Sequence, residues 1–206
     1  MANNQNSKIN KGLIAKTLDW AYARALSGFG GVDSAYELAN NYTQQEGSIE
    51  DQVDSLIKWQ VAKAGASGFL TGLGGIMTLP ITIPANVASV IYIQIRMITA
   101  IAHMGGYDVN SDKVKSLVYI SMVGNGAKEL LKDLGVKVGE KLAVKALSSI
   151  NEKVSVKIAG KIGEKSASSL GKFVPVVGGV IGGSFDAVST RIVGKAAKRI
   201  FIEGKA

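Results

Sequence analysis

The sequence contains no cysteine, a single histidine and only three prolines, and 6% of its residues are aromatic. The absence of cysteine excludes disulfide bonds, cysteine-ligated zinc and thiol catalysis, and it suits a reducing cytoplasm. The polar start MANNQNSKIN leads into an amphipathic segment instead of the apolar region of a signal peptide, so we expect no secretion by that route. No motif indicates a metal or a cofactor.

Apolar residues make up 47% of the 206 positions, and the 25 glycines exceed average usage, which favours close contact between backbones. Helix signals dominate, and no pattern is typical of a strand ladder. We therefore predict an all-α fold, a compact bundle of about seven to nine helices in a single domain over residues 1–206. Capping and stop signals place these helices at about residues 7–28, 34–43 (capped by Asp33), 49 onward, 85–104, 112–134, 137–150, 152–166 and 175–201.

The stretch TGLGGIMTLPITIP, residues 71–84, lies within a run that has no charged side chain, residues 64–95. That run is long enough to cross a bilayer, but its glycines dilute the hydrophobicity and its prolines divide it. A phosphate-binding loop is disfavoured because no Lys-Ser/Thr pair follows the glycines and no strand precedes them. We predict an apolar helical hairpin that packs in the core or dips into lipid, with its turn formed by Gly72, Gly74, Gly75, Pro80 and Pro84.

A polar stripe runs along the otherwise apolar helix that follows Pro84. At 100° per residue, Ser89, Tyr92, Arg96, Thr99 and His103 fall on one side of it. They are interpreted either as core residues that satisfy one another or as the lining of a pocket or lipid-headgroup site. Catalysis by His103 would need a carboxylate partner.

Asp186 is the first charged residue after the uncharged segment 173–185. On a helical wheel it shares the small-residue face of the last helix, and a buried acid is costly unless it is paired. We therefore predict that Asp186 and Arg96 form a buried ion pair or share a polar network. Close packing of this helix is predicted from two small-xxx-small pairs, Gly178/Gly182 and Gly179/Gly183.

The net charge of +8 belongs to the C-terminal half, because residues 111–206 carry 17 Lys/Arg against 8 Asp/Glu. Lysines recur every four residues in two segments with apolar residues opposite, which predicts short basic amphipathic helices. Such helices either lie on an anionic membrane or cover a core and point lysine at water. Nucleic acid is less favoured, since aromatics are absent and arginine is scarce there. The residues of this predicted surface are Lys137, Lys141, Lys145, Lys153, Lys157, Lys161 and Lys165.

Two blocks resemble the signature of the bacterial EcsC family. The first is GASGFLTGLGGIMTLPITIPANVASVIYIQIRMITAIAHMGGYD, residues 65–108, and the second is VPVVGGVIGGSFDAVSTRIVGKAAKRIF, residues 174–201. The resemblance implies a helical bacterial protein, cytoplasmic or membrane-associated, and it supplies no catalytic residues. It divides the domain into a family-like core over 49–203 and a helical extension over 1–48.

The leading hypothesis is a non-enzymatic protein at the cytoplasmic face of a bacterial membrane, where its lysine-rich helices bind anionic lipid or a membrane protein. In this view it is peripheral to the inner membrane or partly inserted in it. The alternative is a soluble accessory or immunity-type factor that neutralises an acidic protein partner. An enzyme that uses His103 with Asp186 is the least favoured hypothesis, and it requires both residues in one open pocket.

Overall fold

The protein is described by a computed structural model over residues 11–29, 31–65, 85–135, 144–169 and 178–204. Over these ranges it forms eight α-helices, one short 3-10 helix and no β-strand, which confirms the predicted all-α bundle. The α-helices are α1 (Lys11–Ser27), α2 (Ala35–Thr43), α3 (Ile49–Gly65), α4 (Ala85–Met104), α5 (Asp112–Ser121), α6 (Ala127–Asp133), α7 (Val144–Ser169) and α8 (Gly178–Phe201). The hairpin-turn residues predicted from the sequence, Gly72, Gly74, Gly75, Pro80 and Pro84, lie outside the described part.

Two of the helix starts are capping boxes. Before α3, the Ser48 hydroxyl accepts from the Asp51 amide at 3.2 Å, and the Asp51 carboxylate accepts from the Ser48 amide at 3.1 Å. Helix α2 begins in the same way, with Ser34 as the cap and Glu37 as its partner. The prediction of Asp33 as the cap of α2 is therefore wrong by one residue. Ser34 takes that place because Glu37 stands three positions later and completes the reciprocal pair.

Helix α4 lies at the centre of the bundle. It packs against α1, α2, α3, α5 and α8, and every residue from 91 to 102 is buried. In the described part it is also the one helix whose length and apolar composition, over Val87–Met104, would let it cross a membrane, and 78% of that window is buried inside the protein. A core helix and a membrane helix share this composition, so the central position of α4 accounts for it within the bundle.

The helix predicted over 112–134 is interrupted. Helix α5 ends at Ser121, a 3-10 turn spans Gly124–Gly126, and α6 resumes at Ala127. Gly124 has a φ of +68°, a left-handed conformation in which glycine is tolerated far better than other residues. The GNG sequence thus turns the chain, which the apolar periodicity on both sides conceals.

The two lysine-rich helices predicted over 137–150 and 152–166 are not separate in the described part, where α7 runs unbroken from Val144 to Ser169. Ile150, Val154 and Ile158 recur every four residues and are buried. This spacing sets one apolar stripe against the core, where α7 packs on α1 and α5. The apolar stripe continues on both sides of Asn151, so the helix does not break there.

Helices α3 and α8 pack side by side in opposite directions. Gly194 lies against the Ile57 side chain, and Lys198 pairs with Asp54 at 2.7 Å, so residues further along α8 meet residues earlier in α3. By this register Arg191 is level with about residue 60 of α3, and Val188 is level with about residue 63.

Helices α4 and α8 run in the same direction. The Gln94 amide contacts Ser189 and Thr190 near the middle of α8, and Gly105 contacts Phe201 at its end. The last turn of α3 and the first turns of α4 and α8 therefore lie toward the same end of the bundle. Trp59 precedes the end of α3 by more than one turn, and its neighbour Gln60 bonds Arg96 near the middle of α4. We name the exposed part of the bundle between the level of Trp59 and this end the Trp59 end. In sequence, the uncharged stretches 64–95 and 173–185 join the chain at this end.

Candidate functional site

The polar stripe of α4 is largely internal. Ser89, Tyr92, Arg96 and Thr99 are all buried, whereas His103 is partly exposed. The Thr99 hydroxyl donates to the carbonyl of Ile95 in its own helix at 2.8 Å. The polar atoms of the other stripe residues have different surroundings.

Arg96 is 2% exposed, and the two hydrogen bonds of its guanidinium group go to neutral acceptors. Nη1 donates to the Asp33 carbonyl at 3.0 Å, and Nη2 donates to the side-chain oxygen of Gln60 at 3.2 Å. The guanidinium carbon lies 5.9 Å from the centre of the Tyr92 ring, a cation–π distance. Burial lowers the pKa of Arg96, yet arginine stays charged at neutral pH.

Three buried polar atoms, on Arg96 and on two residues near it, have no hydrogen-bond partner. They are Nε of Arg96, the side-chain nitrogen of Gln60 and the hydroxyl of Tyr92, and we name these three residues the Arg96 cluster. Gln60 and Tyr92 are fully buried. Each of the unpartnered groups can donate a hydrogen bond, so the cluster has an excess of donors around one buried positive charge.

Arg96 does not pair with Asp186, contrary to the prediction, because its hydrogen bonds go to the α2 and α3 side of α4. The residue of α4 that reaches α8 is Gln94. Its amide donates to the hydroxyls of Ser189 and Thr190, both at 3.1 Å, and the Ser189 hydroxyl donates to the main-chain carbonyl of Asp186. Asp186 is buried at 7% exposure, in agreement with its place on the packing face of α8.

His103 borders an open cavity of about 340 Å³. Its ring meets the Tyr36 ring edge-on at 4.9 Å, and the Tyr36 hydroxyl accepts from the Asn110 amide at 3.0 Å. Asp108 also lines the cavity, but Asp186 does not. This cavity is therefore not the shared open pocket that an enzyme with His103 and Asp186 requires. Nor do the described residues hold any cluster of three or more His, Cys, Asp or Glu side chains suited to a metal.

Helix α7 points its lysines away from the core. Lys153 and Lys157 are exposed, and the ammonium group of Lys161 donates to the carbonyl of Val123 at 2.6 Å. The apolar stripe of α7 already packs in the core, and Val156, at 50% exposure, is the large apolar side chain that the described part of α7 leaves at the surface. Any contact of this surface with a membrane would therefore depend mainly on charge. Lys137, Lys141 and the side chains of Lys145 and Lys165 lie outside the described part. The same holds for the packing of Gly178, Gly179, Gly182 and Gly183, whose backbone forms the first turns of α8.

The Trp59 end combines exposed apolar groups with positive charge. Trp59 and Val188 are each 58% exposed, an unusual degree for large apolar side chains in this bundle. Segments 55–65 and 187–202 contain no Asp or Glu, and their basic residues are Lys58, Lys63, Arg191, Lys195, Lys198 and Arg199. Of these, Lys198 pairs with Asp54. Lys58, Lys63 and Arg191 are exposed at this level of α3 and α8, so basic side chains and two large apolar ones are exposed in the same part of the bundle.

Sequence patterns did not single out Trp59 or Gln60. Gln60 has a recognisable signal, since it falls on the α3 face that also carries Val53, Leu56 and Ile57 and is buried with them. Trp59 lies on the opposite, solvent-facing side of α3. A large apolar residue at an exposed position is itself a recognisable signal. An apolar residue that interrupts a polar helix face marks a candidate contact surface.

A comparison with family models gives one match, to the EcsC protein family, over residues 37–202. The match starts within α2 and ends just after α8, so it includes the Arg96 cluster and the Trp59 end. No curated protein and no solved structure matches the chain. Because the matched residues make up most of the sequence, the chain belongs to the EcsC protein family.

Proposed function

We propose that the protein is a non-enzymatic, peripheral membrane-binding protein that acts at the cytoplasmic face of a bacterial membrane. In this proposal the Trp59 end contacts anionic lipid headgroups. The observation that carries the proposal is the exposure of Trp59 and Val188 in segments whose charged side chains are all basic.

Each part of this surface has a physical role at a membrane. Tryptophan favours the interface between water and hydrocarbon, because its ring is apolar and its N–H still finds a polar partner. Lysine and arginine beside it are attracted to anionic headgroups, at about 1 kcal/mol per residue. Lys58 and Lys63 flank Trp59 on α3, while Arg191 and Lys195 continue the charge along the exposed side of α8.

The position of this surface supports the proposal further. The uncharged first turns of α4, over 85–95, and of α8, over 178–185, lie toward the same end. A membrane contact at this end would bring these uncharged turns near to lipid. The lysines of α7 would then add a second, mainly electrostatic contribution through Lys153 and Lys157.

Co-sedimentation with lipid vesicles tests the proposal. We expect the protein to bind vesicles that contain anionic lipid at low salt, to bind neutral vesicles weakly, and to dissociate as salt screens the charges. The double variant Lys58→Gln/Arg191→Gln should weaken partition by roughly tenfold or more, as expected for two lost charges near the surface.

The matched control is Lys153→Gln/Lys157→Gln, which removes the same charge from α7. It should reduce binding much less, because α7 offers no exposed tryptophan beside its lysines. Absence of binding to anionic vesicles at low salt contradicts the proposal. If the wild-type protein instead forms a stoichiometric complex with an acidic protein and needs no lipid, the protein-binding alternative replaces it.

A further inference from the structure

The Arg96 cluster contains a buried positive charge that makes no ion pair and no hydrogen bond with a carboxylate in the described residues. The hydrogen-bonded acceptors of Arg96 are a main-chain carbonyl and a side-chain amide, both neutral. The uncharged stretch 64–95, which links Gln60 to Arg96 along the chain, contains no Asp or Glu. The Asp33 carboxylate acts on Arg96 electrostatically, but it is exposed and is not hydrogen-bonded to the guanidinium group. A buried charge is costly unless it is closely paired, so the guanidinium group can accommodate a further negative partner.

The unpartnered atoms of the cluster indicate what kind of partner fits. Arg96 Nε, the Gln60 side-chain nitrogen and the Tyr92 hydroxyl all lack a hydrogen bond, and all can donate one. Buried polar groups are paired in the great majority of cases, so three orphans in one cluster need an explanation. A ligand that accepts several hydrogen bonds and carries negative charge satisfies the donors and the charge together.

We propose that Arg96, Gln60 and Tyr92 form a binding site for a small oxyanion, a carboxylate or phosphate group. Guanidinium groups recognise both through charge-assisted hydrogen bonds, which are stronger than those between neutral groups. The site lies on the buried side of α3, whereas Trp59 is exposed, and it does not depend on the membrane-binding proposal.

The turn between α1 and α2 borders this site through the Asp33 carbonyl. Asp33, whose carbonyl accepts from Arg96, belongs to this turn and its side chain is exposed. The three cluster side chains are at most 2% exposed, so binding of an anion requires the bundle to open locally. Binding closes the cluster around the anion and stabilises the folded state by mass action.

Thermal unfolding in acetate and in phosphate, each compared with chloride at equal ionic strength and pH, tests the proposal. We expect one of the two oxyanions to raise the Tm, by roughly 3–6 °C at ten times its dissociation constant. A carboxylate site responds to acetate and a phosphate site to phosphate. Equal Tm values in all three salts overturn the proposal.

Arg96→Gln removes the charge but risks unfolding the core, so the decisive variant is Tyr92→Phe. Its hydroxyl has no partner in the free protein, so the fold tolerates its loss, while a bound anion loses one donor. The oxyanion-specific rise in Tm should fall by half or more in Tyr92→Phe. The control Tyr36→Phe removes a hydroxyl that contacts Asn110 elsewhere, and it should keep the full rise. An undiminished rise in Tyr92→Phe overturns the assignment.

Discussion

Gly105 lies so close to the main-chain carbonyl oxygen of Phe201 that a methyl group on its Cα would overlap that oxygen. The contact joins the ends of α4 and α8, which run in the same direction from the Trp59 end. A carbonyl oxygen within a helix cannot move as a flexible side chain does, so the contact requires the absence of a side chain at position 105.

The substitution Gly105→Ala should therefore destabilise the protein, by about 1–3 kcal/mol, the usual cost of overpacking. Gly160→Ala is the matched control, because Gly160 is in the exposed interior of α7 and a Cβ there meets nothing within 4 Å. The control should raise stability by about 0.5–1 kcal/mol through helix propensity alone. Urea unfolding of both variants checks this pair, and equal effects would contradict the close packing of α4 against α8.

Loss of the hydroxyl group should affect the free energy of unfolding differently at two buried tyrosines. The Tyr22 hydroxyl donates to the Val109 carbonyl at 2.6 Å, so Tyr22→Phe leaves a buried acceptor unpaired and should cost about 1–3 kcal/mol. The Tyr92 hydroxyl has no partner, so Tyr92→Phe in chloride buffer should change the free energy of unfolding by less than about 0.5 kcal/mol or increase it. A large loss in Tyr92→Phe would show that its hydroxyl has a partner in solution.

Stability should decline in alkali. Burial, with Asp19 nearby, raises the pKa of Tyr119 well above its ordinary 10.0. The unfolded chain therefore ionises first, so the contribution of Tyr119 is complete below about pH 10 and is lost as the pH rises above it. Tyr119→Phe removes this titration and should flatten the decline between about pH 9 and pH 11 in urea unfolding. Tyr22, whose pKa burial also raises, keeps part of the slope; an unchanged slope in Tyr119→Phe would contradict the assignment.

The two capping boxes predict an acid dependence of opposite sign. Hydrogen bonds from Ser34 lower the pKa of Glu37 from its ordinary 4.5, and those from Ser48 lower the pKa of Asp51 from its ordinary 3.8. Their stabilisation is present above these ordinary values and is lost as the pH falls through the lowered ones. The double variant Glu37→Gln/Asp51→Asn should lose less stability on acidification below about pH 4.5 than the wild type does. Parallel acid profiles for the two proteins would show that these caps do not titrate as proposed.

Much of the fold could be predicted because its signals are local. The pair Ser48 and Asp51 marks the start of α3, and the apolar run after Pro84 marks the central helix α4. The break at Gly124 was missed because a single left-handed glycine leaves the apolar periodicity on both sides intact. The continuity of α7 was also missed. The lysine spacing alone does not show that one stripe of Ile and Val continues across Asn151.

The candidate sites were harder to predict because they depend on contacts between helices. The sequence indicated that Arg96 is isolated on an apolar helix, and Asp186 was the obvious acid for it. The actual acceptors are the Asp33 carbonyl and Gln60. A main-chain carbonyl carries no signal in a sequence, and α4 turns its Arg96 side away from α8, which it contacts through Gln94 instead.

The central claim is that the Trp59 end is the surface that contacts lipid, and the fluorescence of Trp59 tests it most directly. The chain has two tryptophans, so Trp20→Phe leaves Trp59 as the only indole emitter. On addition of anionic vesicles at low salt, we expect its emission to shift to the blue and to become protected from an aqueous quencher, with both changes reversed by high salt. If this variant co-sediments with the vesicles while Trp59 emission and quenching stay unchanged, the Trp59 end is not the contact surface and the account is wrong.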